Sequence, residues 1–136
     1  MEDCIFCKIA KKEFDSAKVL ESDEFLAILD IAPVVKGMTV VLTKKHYDSY
    51  VFDLPDDVYQ RFFLFAQKTA NLLKKGLGVK RVFLVVEGLD VNHAHIKLYP
   101  LKQEKPLGLI LSQGHSVERK EIGELKQVLK EINSLS

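Results

Sequence analysis

The chain has 136 residues, 47% of them hydrophobic and 29% charged, with 20 Lys and Arg against 19 Asp and Glu. That length and balance fit one soluble globular domain, and a formal charge of +1 argues against a nucleic-acid binder driven by bulk electrostatics. No run approaches the ~20 apolar residues that a membrane helix needs. The opening Met1-Glu2-Asp3-Cys4 is acidic and lacks the basic-then-apolar pattern of a leader. The expected location is therefore the cytoplasm, where two cysteines stay reduced.

In chain order, Ile5 to Ala10 reads as a short helix. Val19-Leu20 begins a strand, and Glu21-Ser22-Asp23 turns into the run Phe25 to Ile31. That run is almost continuously apolar, as a strand buried on both faces would be, and Pro33 ends it. Gly37 turns the chain into a β-branched strand, Met38 to Leu42, closed by Lys44-Lys45-His46. Asp56 to Lys75 is the clearest helix, with Val58, Phe62, Phe65, Ala66, Leu72 and Leu73 near a 3.6-residue period and Gly76 at its end. Val82 to Glu87 is a fourth strand, broken by Gly88, and His93 to Tyr99 a fifth, stopped by Pro100. Leu109-Ile110-Leu111 reads as a short added strand. Ser116 would cap a last helix from Val117 to about Ile132, amphipathic through Ile122, Leu125, Val128, Leu129 and Ile132. Strands in runs, with helices between and after them, predict an α+β domain.

The chemistry concentrates in Val91-Asn92-His93-Ala94-His95-Ile96-Lys97-Leu98-Tyr99-Pro100. Strand alternation would put His93, His95, Lys97 and Tyr99 on one face and Ala94, Ile96 and Leu98 on the other. Cations along one strand face need an anion, a metal or water opposite them. Phosphate is the natural candidate, and a neutral imidazole is a fair nucleophile toward phosphorus. The plainer reading is an exposed edge strand with scattered polar groups.

Cys4-Ile5-Phe6-Cys7 is a C-x-x-C. A thioredoxin-like role would want a strand before it, and none is present. Zinc would need two more ligands, and His46 and His93 are available at strand ends. Two small buried hydrophobes at a helix start are the alternative. Asp30, after an apolar strand and before Pro33, suits either a pair of ribose hydroxyls or ordinary turn chemistry. His115 reads as a loop residue.

Taken in order, Cys4 to Ile9, Leu29-Asp30-Ile31-Ala32-Pro33, Lys36 to His46 and His93 to Pro100 resemble the histidine triad (HIT) family, in a divergent, zinc-binding form of bacterial or archaeal type. The resemblance, which runs from Cys4 to about Pro100, implies a five-stranded antiparallel sheet with two main helices and a homodimer, to which the amphipathic C-terminal helix is extra. It implies one domain over 1–136, with 1–107 as family core and 108–136 as a C-terminal extension carrying an amphipathic helix. The family acts at the α-phosphate of nucleotides through a nucleotidyl-histidine intermediate, on substrates such as phosphoramidates and dinucleoside polyphosphates. By position, His95 is the nucleophile and Lys97 stands at the third triad position.

The same resemblance places Ile5, Phe6, Ile9, Ile28 and Ile31 around the base of a purine nucleotide or conjugate and Asp30 at the ribose; the loop Gly88 to Asn92 lacks the family's Gly-Gln and Ser phosphate contacts, for which Asn92 or Asp90 would substitute. It assigns a structural zinc to Cys4, Cys7, His46 and His93. That set is closed, which disfavours a zinc hydrolase. The chain departs from the family pattern at Lys97 for histidine, at Met38 for a further histidine after Gly37, and at Val86 for an asparagine. Each lost transition-state donor costs ~10²-fold or more in rate. The departures support a second reading, a nucleotide-binding or scaffold protein without turnover.

Overall fold

A computed structural model describes residues 3–102, 105–112 and 118–135. His115, Ser116 and Val117 lie outside the described residues. The elements are α1 (Ile5–Ala10), β1 (Lys18–Glu21), β2 (Phe25–Leu29), β3 (Thr39–Thr43), a 3-10 turn (Val51–Asp53), α2 (Asp56–Leu77), β4 (Arg81–Val85), β5 (His95–Leu101), α3 (Leu107–Leu111) and α4 (Ile122–Leu135). The strands form one sheet in the order β1-β2-β3-β5-β4, antiparallel at every step. The α+β class and five-stranded antiparallel sheet expected from the sequence are present. No helix among the described residues is long and apolar enough to cross a membrane.

β2 and β3 are buried at every position, which is why their sequences run apolar without alternation. One face of the sheet carries Phe25, Ala27, Leu29, Val41, Ile96 and Leu98. It packs on Val58, Phe62, Phe65, Ala66 and Leu73 of α2 and on Leu125 and Ile132 of α4. The other face carries Leu26, Ile28, Val40 and Leu42, and among the described residues the short α1 covers them, through Phe6, Ile9 and Ala10. Leu42 pairs with His95 and Val40 with Lys97, so both of those polar residues belong to this thinner side. The large core therefore stabilises one face, while the other stays thinly covered.

Several element ends differ from the sequence reading. β2 stops at Leu29 because Asp30 folds into a turn, its Oδ1 accepting from the Ala32 N–H at 2.8 Å. His93 precedes β5 instead of standing on it. β5 also runs through Pro100 to Leu101, where Val82 of β4 pairs opposite the proline. The β3 pairing ends at Thr39 and Leu98, so no strand remains on that flank to need the N–H that proline lacks. Leu107–Leu111 is a single helical turn after Pro106 rather than a strand; so short an apolar run has no distinguishing period. α4 starts at Ile122, later than expected, but buries the anticipated residues Leu125 and Ile132.

Gly76 does not end α2. Gly78 does, with φ +63° and its N–H on the Lys74 carbonyl. A Cβ at Gly76 would come within 2.6 Å of the Ile132 Cα and closer still to its carbonyl oxygen. The missing side chain lets α4 press its backbone onto α2. Helix propensity alone would make Gly76→Ala stabilising by about 1 kcal/mol, whereas overpacking against backbone costs about 1–3 kcal/mol. The contact should win, so this variant is expected to unfold at lower denaturant concentration than the parent.

Candidate functional site

Three segments converge on the thinner face: the start of α1, the chain after β3, and the loop 86–94 that leads into β5. The first binds the others through four side chains. Cys4, Cys7, His46 and His93 bring their ligand atoms within 4.8 Å of one another. Cys4 Sγ lies 3.2 Å from His93 Nδ1, Cys7 Sγ 3.4 Å from His46 Nδ1, and Cys7 Sγ 3.5 Å from His93 Nδ1.

Zn–S and Zn–N bonds of about 2.3 and 2.0 Å at a tetrahedral angle put sulfur and nitrogen about 3.5 Å apart. The donor set and spacing thus fit a tetrahedral metal. His93 is held for that role by its other nitrogen, Nε2, which lies 2.6 Å from the Thr43 carbonyl oxygen and leaves Nδ1 facing the thiols. His46 Nε2 is buried with no hydrogen-bond partner among the described residues, and Asp48 Oδ1 lies 4.0 Å from it. Burial pushes the His93 imidazole below its ordinary pKa, toward the neutral form that ligates metals. Burial and then Cys4 push the Cys7 thiol up, so ligation there must displace a proton.

His93 reaches the second part of the site through its backbone. Its carbonyl oxygen lies 2.6 Å from Nδ1 of His95. That nitrogen must carry the hydrogen, so the tautomer leaves the Nε2 lone pair free in the neutral ring. The His95 ring is only 2% exposed, covered edge-on by Phe6 at 4.9 Å between centroids. Nε2 faces Asp90, with Oδ1 at 3.2 Å, while Oδ2 of the same carboxylate accepts from Lys97 Nζ at 2.8 Å. Burial opposes ionisation of Asp90, but the Lys97 ammonium outweighs it and holds the carboxyl below its ordinary range. Burial likewise opposes the charge on Lys97, and Asp90 outweighs it, raising the ammonium above its usual value with a further contribution from Asp30.

The residues expected around a nucleotide are only partly gathered. Phe6, Ile9 and Ile28 form one small apolar cluster beneath α1. Ile5 lines a cleft of ≈ 460 Å³ with Cys4, His46, Asp90, Val91 and Asn92. Asp30 lines a separate cavity of ≈ 400 Å³ with Met38 and with Lys120 and Glu124 beside α4. Ile31 is 43% exposed beside it. The Asn92 side-chain oxygen accepts from the Ser49 N–H at 2.9 Å. Met38 is buried, and its sulfur accepts from the Val34 N–H at 3.4 Å. Val86 packs on the main core. The alternation argument located His95 and Lys97 but not the Asp90 bridge, which a loop of unknown path conceals; its only signal was a carboxylate five residues before a histidine flanked by cations.

The loop before His93 is clamped to Ser49. Besides the Asn92 contact, Ser49 Oγ donates to the Gly88 carbonyl at 2.7 Å. Gly88 has φ +73°, and a Cβ there would lie 2.8 Å from the Ser49 carbonyl oxygen.

The comparisons with known proteins agree with this geometry. Residues 11–104 match the HIT domain family. The chain belongs to the HIT family. Among its relatives, an uncharacterized HIT-like protein of Methanocaldococcus jannaschii is 39% identical over 134 residues, covering 95% of this chain and 98% of that one. The adenosine 5′-monophosphoramidase HNT1 of Saccharomyces cerevisiae is 31% identical over 130 residues, covering 95% of this chain and 80% of that one. A crystal structure of a zinc-bound histidine triad family protein from Mycobacterium smegmatis superposes with a TM-score of 0.73 at 25% identity, over 98% of this chain and 97% of that one.

In this HIT protein the clamp on the 86–94 loop is testable. Gly88→Ala combines left-handed backbone strain of ~1–2 kcal/mol with the Ser49 contact. Amide hydrogen exchange should show the 88–92 amides opening faster in the variant while those of β2 and β3 keep their protection.

Proposed function

We propose that this HIT protein is a nucleotide-binding hydrolase or transferase that acts at the α-phosphate of a nucleotide conjugate. The observation that carries the reading is the His93 carbonyl 2.6 Å from Nδ1 of His95, which orients Nε2 toward the Asp90 carboxylate that Lys97 also holds. In the proposed reaction the Nε2 lone pair forms a bond to the α-phosphorus and the bond to the leaving group breaks. The leaving group takes its proton from water, because Lys97 holds its own too firmly to be an effective acid at neutral pH. Water then attacks the phosphorus and releases His95; in a transferase another acceptor takes its place.

Through both steps the Lys97 ammonium balances charge on the phosphoryl oxygens. Phe6, Ile9 and Ile28, with Ile5 and Ile31 at the margins, would meet the base, and the Asp30 oxygen not used in its turn would take a ribose hydroxyl. A purine suits this reading, since one relative is an adenosine 5′-monophosphoramidase. The reading includes a homodimer, for which β4 is an open sheet edge with Leu84 45% exposed.

Zinc is the metal proposed for Cys4, Cys7, His46 and His93. With its four protein ligands it would supply structural cross-linking and no open position for substrate. The residues themselves tie the start of α1, and with it Phe6, to the chain that carries His95.

The purified protein should contain about one zinc per chain. Cys7→Ser should lower that content and the melting temperature together, because structural metal binding is folding energy. Incubation with adenosine 5′-phosphoramidate should give a chain heavier by one adenylyl group in mass spectrometry. His95→Ala should abolish that adduct and reduce turnover by at least about 10³-fold. The carboxylate at Nε2 favours one second reading, binding without turnover; binding of the phosphoramidate with no adduct and no hydrolysis would establish it in place of the first.

A further inference from the structure

The loop 86–94 places a fixed negative charge where the incoming phosphoryl group must stand. Asp90 bridges the two groups assigned to phosphorus chemistry, Oδ1 at 3.2 Å from His95 Nε2 and Oδ2 at 2.8 Å from Lys97 Nζ. A phosphoryl group would present two oxygens to a similar pair of partners. The side chain is 54% exposed, so it can swing into solvent about its own bonds. Its backbone cannot follow far, because Gly88 and Asn92 on either side are both held by Ser49. A substrate therefore displaces the carboxylate from His95 and Lys97 but leaves its charge at the rim.

We infer that Asp90 is a specificity-determining residue, a charge filter that admits a phosphoryl group bearing one negative charge and opposes one bearing two. The inference rests on the reading of His95 and Lys97 as the phosphoryl site. Its chemistry is simple. In a phosphoramidate or a phosphodiester, the α-phosphorus carries one negative charge. A phosphate monoester, the product of hydrolysis, has a second pKa near 6 and carries close to two at neutral pH. Among the described residues Lys97 is the one ammonium that contacts the carboxylate, so with Asp90 nearby a singly charged phosphoryl group leaves one negative charge unbalanced and a doubly charged one leaves two. An extra unit charge about 4 Å from a carboxylate at a partly wet rim is worth roughly tenfold or more in affinity. The filter would thus favour conjugates over free nucleoside monophosphates and hasten release of the hydrolysis product.

Two ligands that differ by this one charge provide the test: adenosine 5′-monophosphate and its methyl phosphate ester. Calorimetric titration at about pH 7.5, well above the second pKa, keeps the monoester doubly charged. Asp90→Asn keeps the size of the side chain and an oxygen for the Val91 N–H that Oδ1 now accepts at 3.1 Å; Asp90→Ala removes the group altogether. Both variants should tighten the methyl ester, which no longer has to displace the carboxylate, and should tighten the monophosphate roughly tenfold further than that. Equal tightening of both ligands, or weaker binding of the monophosphate, would overturn the filter and leave Asp90 a mere support for Lys97. If neither ligand binds the parent or the variants, the phosphoryl-site reading falls, and the filter with it. A selective gain in monophosphate binding without any adduct on His95 would keep the filter and remove only the turnover.

Discussion

His93 holds the site together by using two of its parts in two directions. Its ring is fixed by the Thr43 carbonyl and aims Nδ1 at the cysteines. Its own carbonyl fixes the tautomer of His95 two residues on. A hydrogen bond between ring and backbone costs little to maintain once both are buried, and much to break, because the orphaned donor would have no water to turn to. The orientation of the imidazole assigned to phosphorus chemistry therefore depends on the same residue that anchors the start of the chain. The separation of labour within the sheet supports this arrangement. The face behind β5 is filled by α2 and α4, so Ala94, Ile96 and Leu98 are locked in the core while the intervening His95 and Lys97 look the other way.

The electrostatics of the thinner face follow from the same alternation. A lone ammonium on this half-dry strand face needs a counter-charge, and Asp90 supplies it, ion-paired to Lys97 while its other oxygen stands 3.2 Å from His95 Nε2. The price of this balance is that the nitrogen proposed as nucleophile faces a carboxylate at rest, so any anionic ligand competes with a group belonging to the protein. Chemistry and stability thus meet at one carboxylate.

Much of this was legible in the sequence, for identifiable reasons. α1 occupies Ile5–Ala10 as read, and β2 is buried on both faces as its unbroken apolar run implied. Leu125 and Ile132 of α4 enter the core as the helical period required. The convergence of Cys4 and Cys7 with His46 and His93 followed from ligand chemistry and resemblance, since no local pattern joins residues so far apart in the chain. What escaped was decided by tertiary contact. Gly76 reads as a helix stop until Ile132 is seen lying against it. Asp90 reads as a candidate phosphate contact until its carboxylate is seen between His95 and Lys97. Leu107–Leu111 has apolar content without a period, and Pro106 before it favours a helical first turn over a strand.

Pro100 and Gly37 together decide how deep the sheet can be. Continuing the β3–β5 register past Thr39 and Leu98 would set Gly37 against Pro100. The proline has no amide hydrogen to offer a neighbour, and the glycine, at φ +82°, already carries the chain away from the sheet. The two residues act as matched stops on adjacent strands. The ladder cannot be extended from that end by lengthening one strand alone, which confines its growth to the opposite rim, where the imidazoles stand.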